Sequence, residues 1–201
     1  MNHARTAAIA AGIALAALCA WPQSAPEPYT TTGHVLVEGR STAYIVHHLP
    51  PNAFPDLPAS IAAELTGRGC LIPQTYEAHQ PENVIHGSFE RAGSKDWAAL
   101  CSADGTASLL VFFGSAPQAP IVIAAVPETD RLQAHGPGGV LGFDWGIDAA
   151  SPRAVHDMQS GLAHRPPAPD HDALADSVID QSVVYHFFTK AHWTFLESPA
   201  N

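Results

Sequence analysis

Twelve histidines in 201 residues are the chain's most chemically suggestive feature, because imidazole serves both as a metal ligand and as a general base near neutral pH. Spacing decides which of those roles is open. A His-Glu-x-x-His pair is absent, no two His three to five apart accompany a Cys pair, and the adjacent His47 and His48 would face opposite sides of a strand. The best remaining group is His156, His171 and Asp172, with His164 as a fourth candidate. Brought together they could hold a metal. The same region reads more readily as a helix start in which Asp170 and Asp172 satisfy the free N–H groups of the first turn. Serine chemistry has no Gly-x-Ser-x-Gly to rest on, and Ser88 or Ser115 beside a glycine is commonplace in turns. In His135-Gly-Pro-Gly-Gly139, Leu141 stands where a dinucleotide loop needs its third glycine, so this segment reads as a surface loop. No catalytic set is defined and no cofactor is implied.

The three cysteines point elsewhere. Residues 1–20 combine His3 and Arg5 with an apolar run from Ala7 to Ala20, too short to span a bilayer and bounded by small residues, which reads as a cleaved signal peptide. Removal of Cys19 leaves an even pair in an oxidising compartment, so Cys70 is expected to pair with Cys101. Closing that 31-residue separation should contribute about 3–4 kcal/mol. The expected location is secreted or periplasmic, with no membrane span once the leader is gone. All 19 acids follow the leader, and losing Arg5 leaves eight scattered bases against them. That balance repels phosphate backbones and anionic lipid, which excludes nucleic acid as an expected partner.

The elements that would position any site are short. Residues 21–32 form a Pro-rich linker, and a single domain is expected over 33–198. Residues 34–37 and 43–46 flank a Gly turn and predict a hairpin. Pro58 opens a short helix carrying Ile61, Ala62 and Leu65 on one face, and Gly67 and Gly69 end it beside Cys70. Strands are predicted at 83–90, 97–102, 107–113 and 121–126, joined by connections that permit only an antiparallel meander. In the third of these, Leu109, Val111 and Phe113 alternate with Leu110 and Phe112, which makes it apolar on both faces and central. Residues 131–169 are loop-like, a helix is predicted over 171–181 with Leu174, Val178 and Gln181 on one side, and 182–188 with 192–197 close the chain as a hairpin. Trp97, Phe112 and Phe113 are assigned to the core, whereas Trp145, in a Gly-rich segment, fits core or surface. The expected class is α+β: an antiparallel sheet of about five to seven strands with two short helices.

Several segments together resemble a family of uncharacterised exported bacterial proteins: Phe54-Pro-Asp-Leu-Pro58, Gly69-Cys-Leu-Ile-Pro-Gln74, Asn83-Val-Ile-His-Gly-Ser-Phe89 through Gly93 to Asp96-Trp-Ala-Ala-Leu-Cys101, Pro169-Asp-His-Asp172, Ser182-Val-Val-Tyr185 and Trp193. That resemblance implies a shared fold, carries no activity, and marks Gly87, Phe89, Gly93, Asp96, Trp97 and Trp193 as structural. The stretch from Gly87 to Trp97 is also similar to the calcium hairpin of FG-GAP repeats. Ser88 and Ala92 stand where that repeat places Asp, so what the likeness implies is a tight β-turn-β with Gly93 in the turn. The functional expectation is an exported, non-catalytic binding or interaction protein for a protein or small-molecule ligand. The alternative is a metal-dependent or serine-type hydrolase using His156, His171 and Asp172.

Overall fold

The computed structural model describes residues 29–165 and 167–197, and the expected leader lies outside them. Strands β1 (Thr30–Val37) and β2 (Arg40–Leu49) form the expected hairpin. Its two-residue turn places Glu38 at φ 50° and Gly39 at φ 79°, the double positive φ that matches the twist of paired strands. The pairing starts at Thr30, so the end of the segment read as a linker is part of the sheet. Helix α1 (Ala59–Gly67) follows Pro58, buries Ile61 and Leu65, and gives way to Gly69 at φ 71°. Beyond it, β3 (Ile72–Gln74) pairs with β2.

The predicted meander is present as β4 (Val84–Gly87), β5 (Asp96–Ala103), β6 (Thr106–Phe112) and β7 (Ile121–Pro127), all antiparallel. The alternation in β6 does what its pattern demands. Leu109, Val111 and Phe113 enter a central core with Phe143, Trp145, Ile147 and Leu174, while Leu110 and Phe112 face Ile61 and Leu65 of α1. Cys70, just past α1, and Cys101 of β5 form the disulfide across a Cα–Cα distance of 4.9 Å.

Where the expectation was a single sheet, the described residues form three, and the molecule is strand-rich with two short α-helices. The 131–169 region is not loop-like throughout. It holds β8 (Leu132–His135), β9 (Val140–Phe143) and β10 (Trp145–Ala150), then α2 (Pro152–Met158), which Ser151 caps by accepting from the Ala154 N–H at 3.2 Å. Strands β8 and β9 join β1, β2 and β3 in one sheet. Trp145 is fully buried. The helix predicted over 171–181 is instead β11 (Ala173–Val178), which pairs with β10 on one side and with β12 (Ser182–Thr189) on the other. Its residues obey a period of two: Ala173 and Ala175 pack under Val155 of α2, whereas Leu174 enters the central core. The capping role read for Asp170 and Asp172 falls with that helix. Strand β13 (His192–Glu197) completes the third sheet, in the order β10-β11-β12-β13.

One residue makes hydrogen bonds to all three sheets. Asn83, 2% exposed, donates from Nδ2 to the Pro73 carbonyl of β3 at 2.8 Å and to the Trp145 carbonyl of β10 at 3.1 Å. Its Oδ1 accepts from the Ile147 N–H at 3.1 Å, and its own carbonyl accepts from Leu100 of β5 at 3.0 Å. The backbone there is left-handed, φ 67°, a conformation Asn tolerates better than most residues.

Asn83→Ala should lower unfolding stability by about 3 kcal/mol, since it strands two carbonyls and an N–H in the core and adds backbone strain. Asn83→Gly, which loses the same side-chain bonds but adds no backbone strain, should lose less, as comparison of denaturation midpoints will show. The β12–β13 turn offers the opposite test: Lys190 and Ala191 sit at φ 50° and 63° without a glycine. Ala191→Gly should raise stability by about 1 kcal/mol in the same assay.

Candidate functional site

The edge of β4 meets the edge of β10 beside Asn83, and a groove of about 1070 Å³ opens there. Its walls are Val84 and Ile85 of β4, residues 146–148 of β10, residues 177–184 of the β11–β12 hairpin, Met158 at the end of α2, and the segment between β3 and β4. That segment is fixed by reciprocal bonds. Gln74 donates to the carbonyls of Ile72 and Glu82, both at 3.1 Å, and accepts the Glu82 N–H at 3.0 Å. Glu82 Oε1 in turn accepts the Thr75 N–H at 2.8 Å, which orients its carboxylate.

Glu77, Glu82, Asp148 and Asp180 thus bring four carboxylates to one groove, and among the described residues lining it there is no Lys, Arg or His. Desolvation and then the neighbouring Glu82 charge raise the pKa of the Asp148 carboxyl above the ordinary Asp value. Between the acids lie apolar side chains, among them Ile147, Val178, Ile179, Val183 and Val184. Such a lining suits an elongated ligand with positive ends and an aliphatic body. Asp180, at φ 57°, holds its place in the β11–β12 turn at the expense of a left-handed backbone.

The site residues expected from the sequence lie elsewhere. His156 is on α2, half-buried, with Nδ1 unpartnered; His164 is exposed. His171 is buried, bonds through Nδ1 to Asp170 Oδ1 at 2.6 Å, and stacks on Phe187. Asp172 is engaged in accepting the Ser88 N–H at 3.0 Å. Among the described residues no three His, Cys, Asp or Glu side chains are arranged to hold a metal ion. Ser88 donates to the Ser94 carbonyl and Ser115 to Glu90 Oε1, so neither meets a histidine through these bonds.

The Gly87-to-Trp97 hairpin has the tight turn its likeness to the calcium repeat implies, with Gly93 at φ 76° and Phe89 fully buried. A Cβ on Gly87 would lie 2.8 Å from the Phe89 ring, which explains the glycine. Trp97 is partly buried against Ala99 and Phe112. Asp96 is fully buried and accepts the Glu90 N–H at 2.7 Å, the Gly114 N–H at 2.8 Å and the Ser94 hydroxyl. Its oxygens serve protein donors. Trp193 packs against Phe113 and Phe188.

One buried acid–histidine–serine group escaped the sequence reading. Glu128 Oε2 lies 3.0 Å from His48 Nε2 and also accepts the Ser102 hydroxyl, while His48 Nδ1 faces the Tyr29 carbonyl at 3.0 Å. Both ring nitrogens therefore face oxygen atoms of the protein. Serine and histidine share one carboxylate oxygen instead of bonding to each other, so the imidazole does not face the hydroxyl as it would in a Ser–His–acid triad. No helix among the described residues is long and apolar enough to cross a membrane. Compared with family models, curated proteins and solved structures, the chain gives no match.

The Glu128 group makes stability acid-sensitive. Burial alone would raise the Glu128 pKa, yet hydrogen bonds from His48 and Ser102, joined by the His48 charge, prevail and lower it. A depressed carboxyl pKa contributes stability that is fully present above the unfolded-state value and is lost as pH falls through the folded-state value. Glu128→Gln should therefore be less stable at pH 7 and show a shallower decline in unfolding free energy on acidification towards pH 3; parallel curves for the two proteins would refute the assignment.

Proposed function

We propose that the protein is an exported, non-catalytic binding module whose groove between β4 and β10 takes an aliphatic organic cation. The observation that carries this reading is the convergence of four carboxylates, with aliphatic side chains among them, on a groove lined by no basic side chain among the described residues. Charges of one sign in a concave wall focus potential and favour a ligand of opposite sign. Its volume, about 1070 Å³, lies near the upper end of ordinary small-molecule sites. The Glu82–Asp148 repulsion acts in the same direction, because a cation placed between them removes an unfavourable interaction that the free protein must carry. Export is supported by the leader-like N-terminus and the Cys70–Cys101 disulfide.

Calorimetric titration with spermidine tests the reading. Binding should be measurable at low salt, weaken as salt rises, and fall at least about tenfold in the Glu82→Gln, Asp148→Asn double variant, a loss of about 1.4 kcal/mol. It should also weaken on acidification earlier than an ordinary aspartate would dictate, because the raised pKa of Asp148 neutralises that carboxylate sooner. Equal affinity in the wild type and the double variant would overturn the proposal.

A further inference from the structure

On the other side of the α2 terminus lies a second cavity, of about 440 Å³, between residues 167–170 and the β12–β13 hairpin. Met158 borders the acidic groove, while its neighbour Gln159 lines this cavity. Gln159 is 3% exposed, yet its Oε1 is buried without a hydrogen-bond partner. A buried amide oxygen left unpaired forfeits its hydration without a compensating bond, so the position suits a donor from outside the chain. The Phe187 ring, Leu196 and Pro169 supply apolar walls, and the exposed carboxylate of Asp170 stands at the rim. Thr194 spends its hydroxyl hydrogen on the Phe187 carbonyl at 3.1 Å, which leaves its oxygen able to accept.

The arrangement is therefore one of acceptors around an aromatic face. Among the described residues no basic side chain is in its lining, and the His171 ring beside it bonds Asp170 Oδ1 and stacks on Phe187. The nearby guanidinium of Arg165 is committed to the His156 carbonyl and to Asp157. From this geometry we infer that the cavity is a second binding site, for a primary alkylammonium or guanidinium headgroup. Its N–H donors meet Gln159 Oε1 and the Asp170 carboxylate while the charge lies over Phe187. The site is separate from the acidic groove and does not depend on it.

Backbone amide NMR of the disulfide-bonded domain titrated with n-butylammonium reads the two sites apart. Saturable shifts are expected at Gln159, Phe187 and Thr189. Gln159→Met, which keeps the shape and removes the acceptor, should weaken binding at these positions at least fivefold, and Gln159→Glu should strengthen it. Glu82→Gln should leave these shifts unchanged while reducing those at Ile147 and Asp148, so loss of either site is seen independently of the other. Absent shifts at Gln159 and Phe187, indifference to Gln159→Met, or equal affinity for tetramethylammonium, which has no N–H to donate, would each overturn the inference.

Discussion

The meeting of the three sheets depends on a single buried residue, Asn83. The Asn83 side chain bonds β3 of the first sheet and β10 of the third, while its carbonyl bonds β5 of the second. The side-chain partners are backbone groups of β3 and β10, so the amide supplies hydrogen bonds between two sheets that no ladder joins. The position demands a left-handed backbone together with two donors and an acceptor on a short side chain, a combination that asparagine supplies. Because Asn83 also lines the groove, the residue that aligns the sheets sets the spacing between the groove's walls.

The chain places its carboxylates in two kinds of environment, and the contrast separates architecture from recognition. Asp96 gathers two backbone N–H groups and a serine hydroxyl, and Glu128 gathers an imidazole and a serine hydroxyl. Asp176 joins this class by accepting from Trp145 Nε1 at 2.6 Å and meeting His186 Nε2 at 3.0 Å. In each case protein donors meet the charge, and the acid works as a fastener. Glu77, Glu82, Asp148 and Asp180 line a concave surface whose wall holds no basic side chain among the described residues. Their charges raise the local demand for a counter-ion, and the aliphatic side chains between them favour one with an apolar body.

Much of the local structure was legible in the residues. The two-sided alternation of β6, the Pro58 start and Gly69 stop of α1, the meander from β4 to β7 and the Cys70–Cys101 pairing all follow from periodicity, turn chemistry and cysteine arithmetic. The segment from Ala173 to Val178 was misread because Leu174 and Val178, four apart, satisfy a helical face and one face of a strand equally. Pairing on both edges and the engagement of Asp176 decided for the strand. The sites were harder to see. Asn83 reaches partners 62 and 64 residues away, which no local pattern announces. The groove acids are dispersed too, although one signal was there: residues 69–90 and 166–189 carry acids and no Lys or Arg.

The disulfide encloses part of this machinery in a covalent ring. Between Cys70 and Cys101 run β3, β4, β5, Asn83 and two of the groove's acids, Glu77 and Glu82, so one wall of the groove belongs to a closed loop. The facing wall, β10 with the β11–β12 hairpin, belongs to the third sheet, which no cross-link joins to the ring among the described residues. The groove is thus a seam between a stapled half and an unstapled one. Any guest that spans it draws those halves together, and its binding energy adds to the cohesion of the whole molecule by mass action.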